Sequence, residues 1–389
     1  MLKFWGFILV MFLTGFGSVA YADGVITGAE QPEKYLHLIE NKKIGLVVNH
    51  TSLVDNIHLV DFLLNKGIKV DKIFAPEHGF RGDASAGEEI KDGLDAKTGI
   101  PVLSLYGQTK KPTVAHLEKI DVLIFDIQDV GCRFYTYIST LHLVIEACAE
   151  NNVSLIVLDR PNPNGDYVAG PLLKPGFESF VGMDPIPVVH GCTVGELAKM
   201  INGEKWHKAA KRCDLQVIPV QNYTHSTKYE LPVNPSPNLP NYLSVRLYPS
   251  LCFFEATSVS VGRGTDFPFQ VLGGLNKNLG KFQFTPKNIP GVAVNPLNEG
   301  LVCYGLDLRL IEEVPKFTLK YFMDFYDKYE VKTDFLTREN WFNLLAGNDE
   351  LLAQIRSGKS EPEILEALKP DLEKYKLIRK KYLLYPDFE

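Results

Sequence analysis

The sequence predicts an α/β fold: a Rossmann-like, mainly parallel sheet domain followed by a second, smaller α+β domain. Three observations lead there. Apolar β-rich runs alternate with helix-like stretches from Lys42 to Asp166. Those runs are apolar on both faces, as strands covered on both sides of a parallel sheet must be. After a proline-rich connection the chain changes character.

The elements follow in order. "KIGLVVNHTS" reads as a strand ending in Asn49, His50 and Thr51, and "HLVDFLLNKG" has helical spacing with a stop at Gly67. "VDKIFAPEHG", "IPVLSLYG" and "DVLIFDIQDVG" are the second, third and fourth strands. "YISTLHLVIEACAENN" is a helix, "VSLIVLDRPNPNG" a fifth strand, "TVGELAKMINGE" a helix and "DLQVIPVQN" a further strand. The prolines of "LPVNPSPNLPNY" then forbid regular helix. Beyond them, "FEATSVSVGRG" and "VCYGLDLRL" are strand-like, while "KFTLKYFMDFYDKY" and "EILEALKPDLEKYKLIRKKYLLY" are helical. This organisation divides the chain into residues 1–22, 23–250 for the sheet domain and 251–389 for the smaller one.

Residues 1–22 carry a Lys near the start, a long apolar run and an Ala20-Tyr21-Ala22 end, the pattern of a cleaved secretory signal. The expectation is an exported protein, periplasmic or extracellular, with no stable membrane insertion after cleavage. A chain of 389 residues exceeds one ordinary core, so two domains are the default. The net charge of -6, without a Lys/Arg run, leaves no basic surface for nucleic acid. The six cysteines are scattered and form no CxxC, which favours buried free thiols over disulfides or a zinc site.

In an open parallel sheet, ligands bind beyond the carboxyl ends of the strands. Each strand here ends in functional groups: Asn49 and His50, Glu77 and His78, Tyr106, then Asp126, Gln128 and Asp129, then Asp159 and Arg160. The first strand-to-helix turn, "VNHTSLVD", has no glycine for close approach of a pyrophosphate, which disfavours a dinucleotide enzyme. "GRGTDF" is no P-loop, and no GxSxG elbow is present. His50, His78, Asp126 and His190 would be the donors of a metal-dependent hydrolase or esterase, but no HxH or HExxH spacing supports one. No metal or other cofactor is therefore expected.

Glu77 stands out, because Pro76 ends the strand before it and His78-Gly79 follow, so its carboxylate is expected to face the crevice. Glycosidases pair a carboxylic acid that protonates the leaving oxygen with a second group that activates water or stabilises the sugar cation. Glu77 with Asp126, Asp129 or Glu255 supplies such a pair, and Tyr106, Phe134, Tyr135 and Tyr137 suit a sugar face. The plainer roles are helix capping for Asp126 and Asp129, ion pairing with one of them for Arg133, and a solvent-facing strand position for Glu255.

The runs "LVVNHTSLV", "FAPEHGFRGDASAGE", "PVLSLYGQTKKPT", "DVLIFDIQDVGCRFYTYISTL", "VLDRPNPNG", "HGCTVGELA", "SPNLPNYLSVRLYPSLCFFEAT", "SVGRGTDFPFQVLG" and "KYKLIRKKYLLY" together resemble the NamZ-type exo-β-N-acetylmuramidases, formerly a bacterial domain of unknown function. The resemblance implies release of terminal N-acetylmuramic acid from the non-reducing end of peptidoglycan-derived glycan fragments, in a cleft between a Rossmann-like domain and a smaller second one. It places the acid/base at Glu77, with Glu88 of "SAGEE" as rival, and substrate or water contacts at Asp126, Arg133, Tyr137, Asn238 and Glu255. The lactyl carboxylate of that sugar calls for a cation, expected from Arg133, Arg160 or Arg263. A non-catalytic receptor for wall fragments is the remaining alternative.

Overall fold

The computed structural model describes residues 24–77, 79–81 and 92–389. Seven strands form one sheet, in the spatial order Leu215–Ile218, Ser154–Leu158, Val122–Asp126, Ile44–Val48, Val70–Ala75, Pro101–Ser104 and Gly93–Leu94. All neighbours pair in parallel except the short Gly93–Leu94 edge, which runs antiparallel and which the sequence reading lacks. The mainly parallel α/β architecture is the one expected.

The alternation of side chains explains why these strands are apolar throughout. Val47, Phe74, Leu123, Phe125, Leu155 and Val157 point into one buried cluster. Leu46, Val48, Ile73, Ala75, Ile124 and Ile156 point into the cluster on the opposite face. The helix Tyr137–Asn151 covers the first face and ends where Asn152 takes a left-handed φ of 57°. Val194–Glu204 is started by a reciprocal cap: Thr193 Oγ1 accepts from Glu196 N, while Glu196 Oε2 accepts from Thr193 N at 2.9 Å. Such a box contributes about 1 kcal/mol.

The smaller second domain holds a three-stranded antiparallel sheet, ordered Val271–Gly274, Cys303–Asp307 and Phe282–Phe284, and helices from Lys320 onward. Its phenylalanines, among them Phe253, Phe254, Phe322 and Phe325, belong to the same buried cluster as one face of the large sheet. One continuous core therefore ties the second domain to the first.

Two local expectations need correction. "FEATSVSVGRG" is not a strand: Cys252–Ala256 is a 3-10 helix that continues the helix Tyr242–Leu251. That helix was also unexpected, because its sequence follows a proline-rich run and contains Pro249. Asn241 starts it by accepting from Ser244 N at 2.9 Å, a capping signal present in the sequence but masked by its proline neighbours. All six cysteines are buried and unpaired. Among the described residues no helix is long and apolar enough to cross a membrane. The expected signal segment lies outside the described residues.

Candidate active site

The Val70–Ala75 strand ends at Pro76, which has no N–H to continue a ladder, and the chain turns off the sheet at Glu77. The Glu77 carboxylate is half-buried and is held from the side by Thr136 Oγ1, which donates to Oε2 at 2.7 Å. Tyr137 hydroxyl donates to the Glu77 carbonyl at 3.4 Å. The Tyr106 phenol, from the end of the neighbouring strand, also bonds the Glu77 side chain; burial first and then that carboxylate push its pKa up. Glu77 thus leaves the sheet on a fixed path, with hydroxyl groups on more than one side.

The second domain supplies the facing groups. Glu255 sits on the 3-10 helix and pairs with Arg263 Nη2 at 2.6 Å, and the Arg263 guanidinium lies 5.1 Å from the Phe269 ring centre. Glu77, Glu255 and Arg263 line one cleft of about 410 Å³. Its floor is a packed aromatic group in which Tyr135 meets Tyr137 edge-on at 4.9 Å and Phe134 meets Tyr248 at 5.2 Å. Rings of this kind give a flat apolar face, while carboxylates and a guanidinium give the polar contacts that orient a small ligand.

Eight of the residues singled out in the sequence line this cleft: Glu77, Tyr106, Phe134, Tyr135, Tyr137, Asn238, Glu255 and Arg263. Asn238 donates from Nδ2 to Val292 O at 2.8 Å, and its Oδ1 has no protein partner among the described residues. His78 and Glu88 lie outside the described residues.

The others form a largely buried polar network; none of them is among the cleft's lining residues, although Asn49 reaches the Tyr137 side chain from behind. Asp126 is fully buried and gripped by Arg160, Nε to Oδ1 at 2.6 Å and Nη2 to Oδ2 at 2.9 Å. Asp159 accepts from Gly195 N at 2.7 Å, Thr193 Oγ1 at 2.7 Å and Tyr385 hydroxyl at 2.5 Å, and burial pushes its pKa up to about 6 against those bonds. Gly195 is required there, since a Cβ would lie 2.7 Å from Asp159 Cγ. Asn49 caps the turn to Thr51, and Gln128 donates to Asp129 O and to Pro161 O at 2.7 Å. Asp129 accepts from Gly131 N at 2.6 Å and lies 3.8 Å from His190 Nε2. His50 Nε2 bonds Asn234 O at 2.8 Å.

Arg133 pairs with neither Asp126 nor Asp129. Its guanidinium is sealed among the carbonyls of Pro171, Ile186 and Leu345 at 2.7 to 2.8 Å, and burial pushes its pKa down to about 9. Of the three arginines considered for a substrate carboxylate, only Arg263 lines the cleft. Among the described residues, no group of three His, Cys, Asp or Glu side chains is placed to hold a metal ion.

The sequence reading missed Lys110, Thr136, Phe180, Tyr248 and Trp341 as cleft residues. Thr136 stands between the two tyrosines of "FYTY", and Lys110 stands in "QTKKPT", so both lay inside runs already noted. Trp341 carries no sequence signal, because the tertiary fold alone brings the Glu339–Ala346 helix to the cleft.

Comparison with known proteins adds the following. Residues 44–243 match the family described as exo-beta-N-acetylmuramidase NamZ, N-terminal, and residues 246–385 match its C-terminal counterpart. The chain is 38% identical over 374 residues to the peptidoglycan beta-N-acetylmuramidase NamZ of Bacillus subtilis (strain 168), covering 90% of this chain and 89% of that protein. A crystal structure of a DUF1343 family protein from Bacteroides fragilis NCTC 9343 superposes with a TM-score of 0.87 at 47% identity, covering 94% of this chain and 99% of that one. A second DUF1343 protein from the same organism gives 0.80 at 29% identity, covering 93% and 99%.

Proposed function

This chain belongs to the NamZ exo-β-N-acetylmuramidase family, and from that premise we propose that it is an exo-acting glycosidase of peptidoglycan fragments. It releases the terminal non-reducing N-acetylmuramic acid from β-1,4-linked MurNAc-GlcNAc. The observation that carries the assignment to this cleft is the joint placement of Glu77, fixed by Thr136 at 2.7 Å, and the Glu255–Arg263 pair around an aromatic floor.

In the proposed reaction Glu77 gives its proton to the glycosidic oxygen as the bond from that oxygen to the sugar's C1 breaks, and the bonding electron pair leaves with the oxygen. The positive charge that develops on the sugar ring lies near the Glu255 carboxylate, and a water then adds to C1 and loses its proton to a carboxylate. The aromatic floor takes the apolar face of the ring. Cations for the lactyl carboxylate come from the cleft itself: Arg263, whose fork already engages Glu255, and Lys110, which rests 4.6 Å over Phe180 and has no carboxylate partner among the described residues. An export signal over residues 1–22 would deliver the enzyme to the compartment where wall fragments occur, a placement that cell fractionation checks.

The test is release of free N-acetylmuramic acid from MurNAc-GlcNAc. Glu77→Gln keeps the shape and the Thr136 contact but cannot transfer the proton, so turnover falls by about 10²- to 10⁴-fold with the melting temperature unchanged. Normal turnover in Glu77→Gln would move the acid role to Glu88 or Glu255.

A further inference from the structure

A second groove, of about 680 Å³, begins where the cleft ends and shares Lys110, Ser179 and Phe180 with it. Its walls carry Trp206, Leu143 and Met183, and along them lie Lys174 and Lys208. Lys174 is already paired with Glu350 at 2.6 Å. Lys208 is exposed; its backbone N–H donates to Glu146 Oε2 at 2.7 Å, while its ammonium group, like that of Lys110, has no carboxylate partner among the described residues. Glu178 is the one acidic side chain along the rim, while His142 is turned inward onto Asp184 at 2.8 Å. The groove therefore combines apolar surface, a half-buried indole and unneutralised positive charge, and it is continuous with the candidate active site.

An enzyme that removes the last sugar of a chain must hold that sugar in a pocket and let the remainder run out through the mouth. Here the mouth at Phe180 opens onto this groove. The peptide-free remainder has matching chemistry: pyranose faces that lie against an indole, and on every second sugar a lactyl carboxylate that seeks an ammonium group. Building on the muramidase reading, we propose that the groove is the leaving-group subsite. It binds the sugars beyond the first on the reducing-end side of the scissile bond, with Trp206 under one of those rings and Lys208 at the next muramic carboxylate.

The experiment compares two peptide-free substrates, the disaccharide MurNAc-GlcNAc and the tetrasaccharide with two such units, on the full-length enzyme. The wild type is expected to show a lower KM for the tetrasaccharide. Lys208→Glu, an exposed change that leaves the core untouched, should raise the tetrasaccharide KM about tenfold, the size of one or two lost or inverted contacts of this kind. Its kcat and its kinetics on the disaccharide should stay at the wild-type values. Trp206→Ala should show the same selectivity. Equal KM for the two substrates in the wild type, or a variant that slows the disaccharide as much as the tetrasaccharide, overturns the assignment. Failure of the wild type to release N-acetylmuramic acid from either would instead sink the muramidase reading, and this subsite with it.

Discussion

Two regions at the carboxyl edge of the same sheet look alike in the sequence and differ in the structure. Where Val70–Ala75 and Pro101–Ser104 end, Glu77 and Tyr106 face a cleft of about 410 Å³. Where Ile44–Val48, Val122–Asp126 and Ser154–Leu158 end, the chain fills the space itself. Ser52 Oγ donates to the Asp126 carbonyl, Gln128 N donates to Thr51 Oγ1 at 3.0 Å, and Arg160 closes over the Asp126 carboxylate. The strand order reverses between Ile44–Val48 and Val122–Asp126, the place where such sheets ordinarily take a ligand. In this protein that place is occupied by its own loop, and the cleft lies beside it. The difference teaches that a polar strand end marks a site only where the chain does not supply the partner.

The sharpest way to break this contrast is a crossed pair of substitutions. Arg160→Met leaves Asp126, whose pKa burial already raises, without its charged partner in a fully buried position. Removing one member of such a pair costs about 3 to 5 kcal/mol, so chemical denaturation should show a loss of that size. The fraction that remains folded should keep its kcat. Glu77→Gln should do the reverse, losing activity while the denaturation midpoint holds. If Arg160→Met lost activity at full stability, the network would be part of the site and the contrast would fail.

The sequence made the fold legible because both-face burial of parallel strands leaves continuous apolar runs, and the Leu46/Val47 and Ile73/Phe74 alternation into opposite clusters bears out that origin. Glu77 was legible for a related reason: a proline followed by a carboxylate at a strand's end must leave the ladder. Arg133 was not. Nothing local distinguishes an arginine that caps buried carbonyls of residues 171, 186 and 345 from one that meets a carboxylate, since its partners are distant in sequence. Phe, Thr and Val around Glu255 favour a strand, and the preceding Asn241-capped helix overrides that propensity. Trp341 arrives from the second domain, which no spacing rule reaches.

A smaller effect sharpens the contrast from the buried side. Asp159 has a pKa raised from 3.8 to about 6, chiefly by burial. The folded protein therefore holds this proton more tightly than the unfolded chain does. The associated stability is fully present below about pH 4 and is lost as pH rises through about 6. Two pKa units correspond to about 3 kcal/mol. In Asp159→Asn that part of the pH slope should vanish, seen as denaturation midpoints at pH 4.5 and pH 7 that lie closer together than in the wild type. An unchanged slope would mean that the bonds from Thr193, Gly195 and Tyr385 offset the burial completely.

The smallest effect is expected where the two regions meet. His50 ends the Ile44–Val48 strand, and its Nε2 bonds Asn234 O at 2.8 Å. The adjoining loop presents Ser236 and Asn238 to the cleft, and Pro235 O receives the Tyr135 hydroxyl at 2.7 Å. Burial lowers the His50 pKa, opposed by the Asn234 carbonyl, so the ring is neutral around pH 7 and donates a single uncharged bond. His50→Ala should therefore cost about 1 kcal/mol of stability. Because the lost bond holds a loop rather than a reacting group, KM should rise about threefold with kcat unchanged, well under the 1.4 kcal/mol that separates tenfold steps. His50→Gln, which keeps a donor at similar reach, should recover both. A fall in kcat would place His50 on the cleft side of the boundary, whereas a KM that does not move would mean that the loop holds its position without this bond.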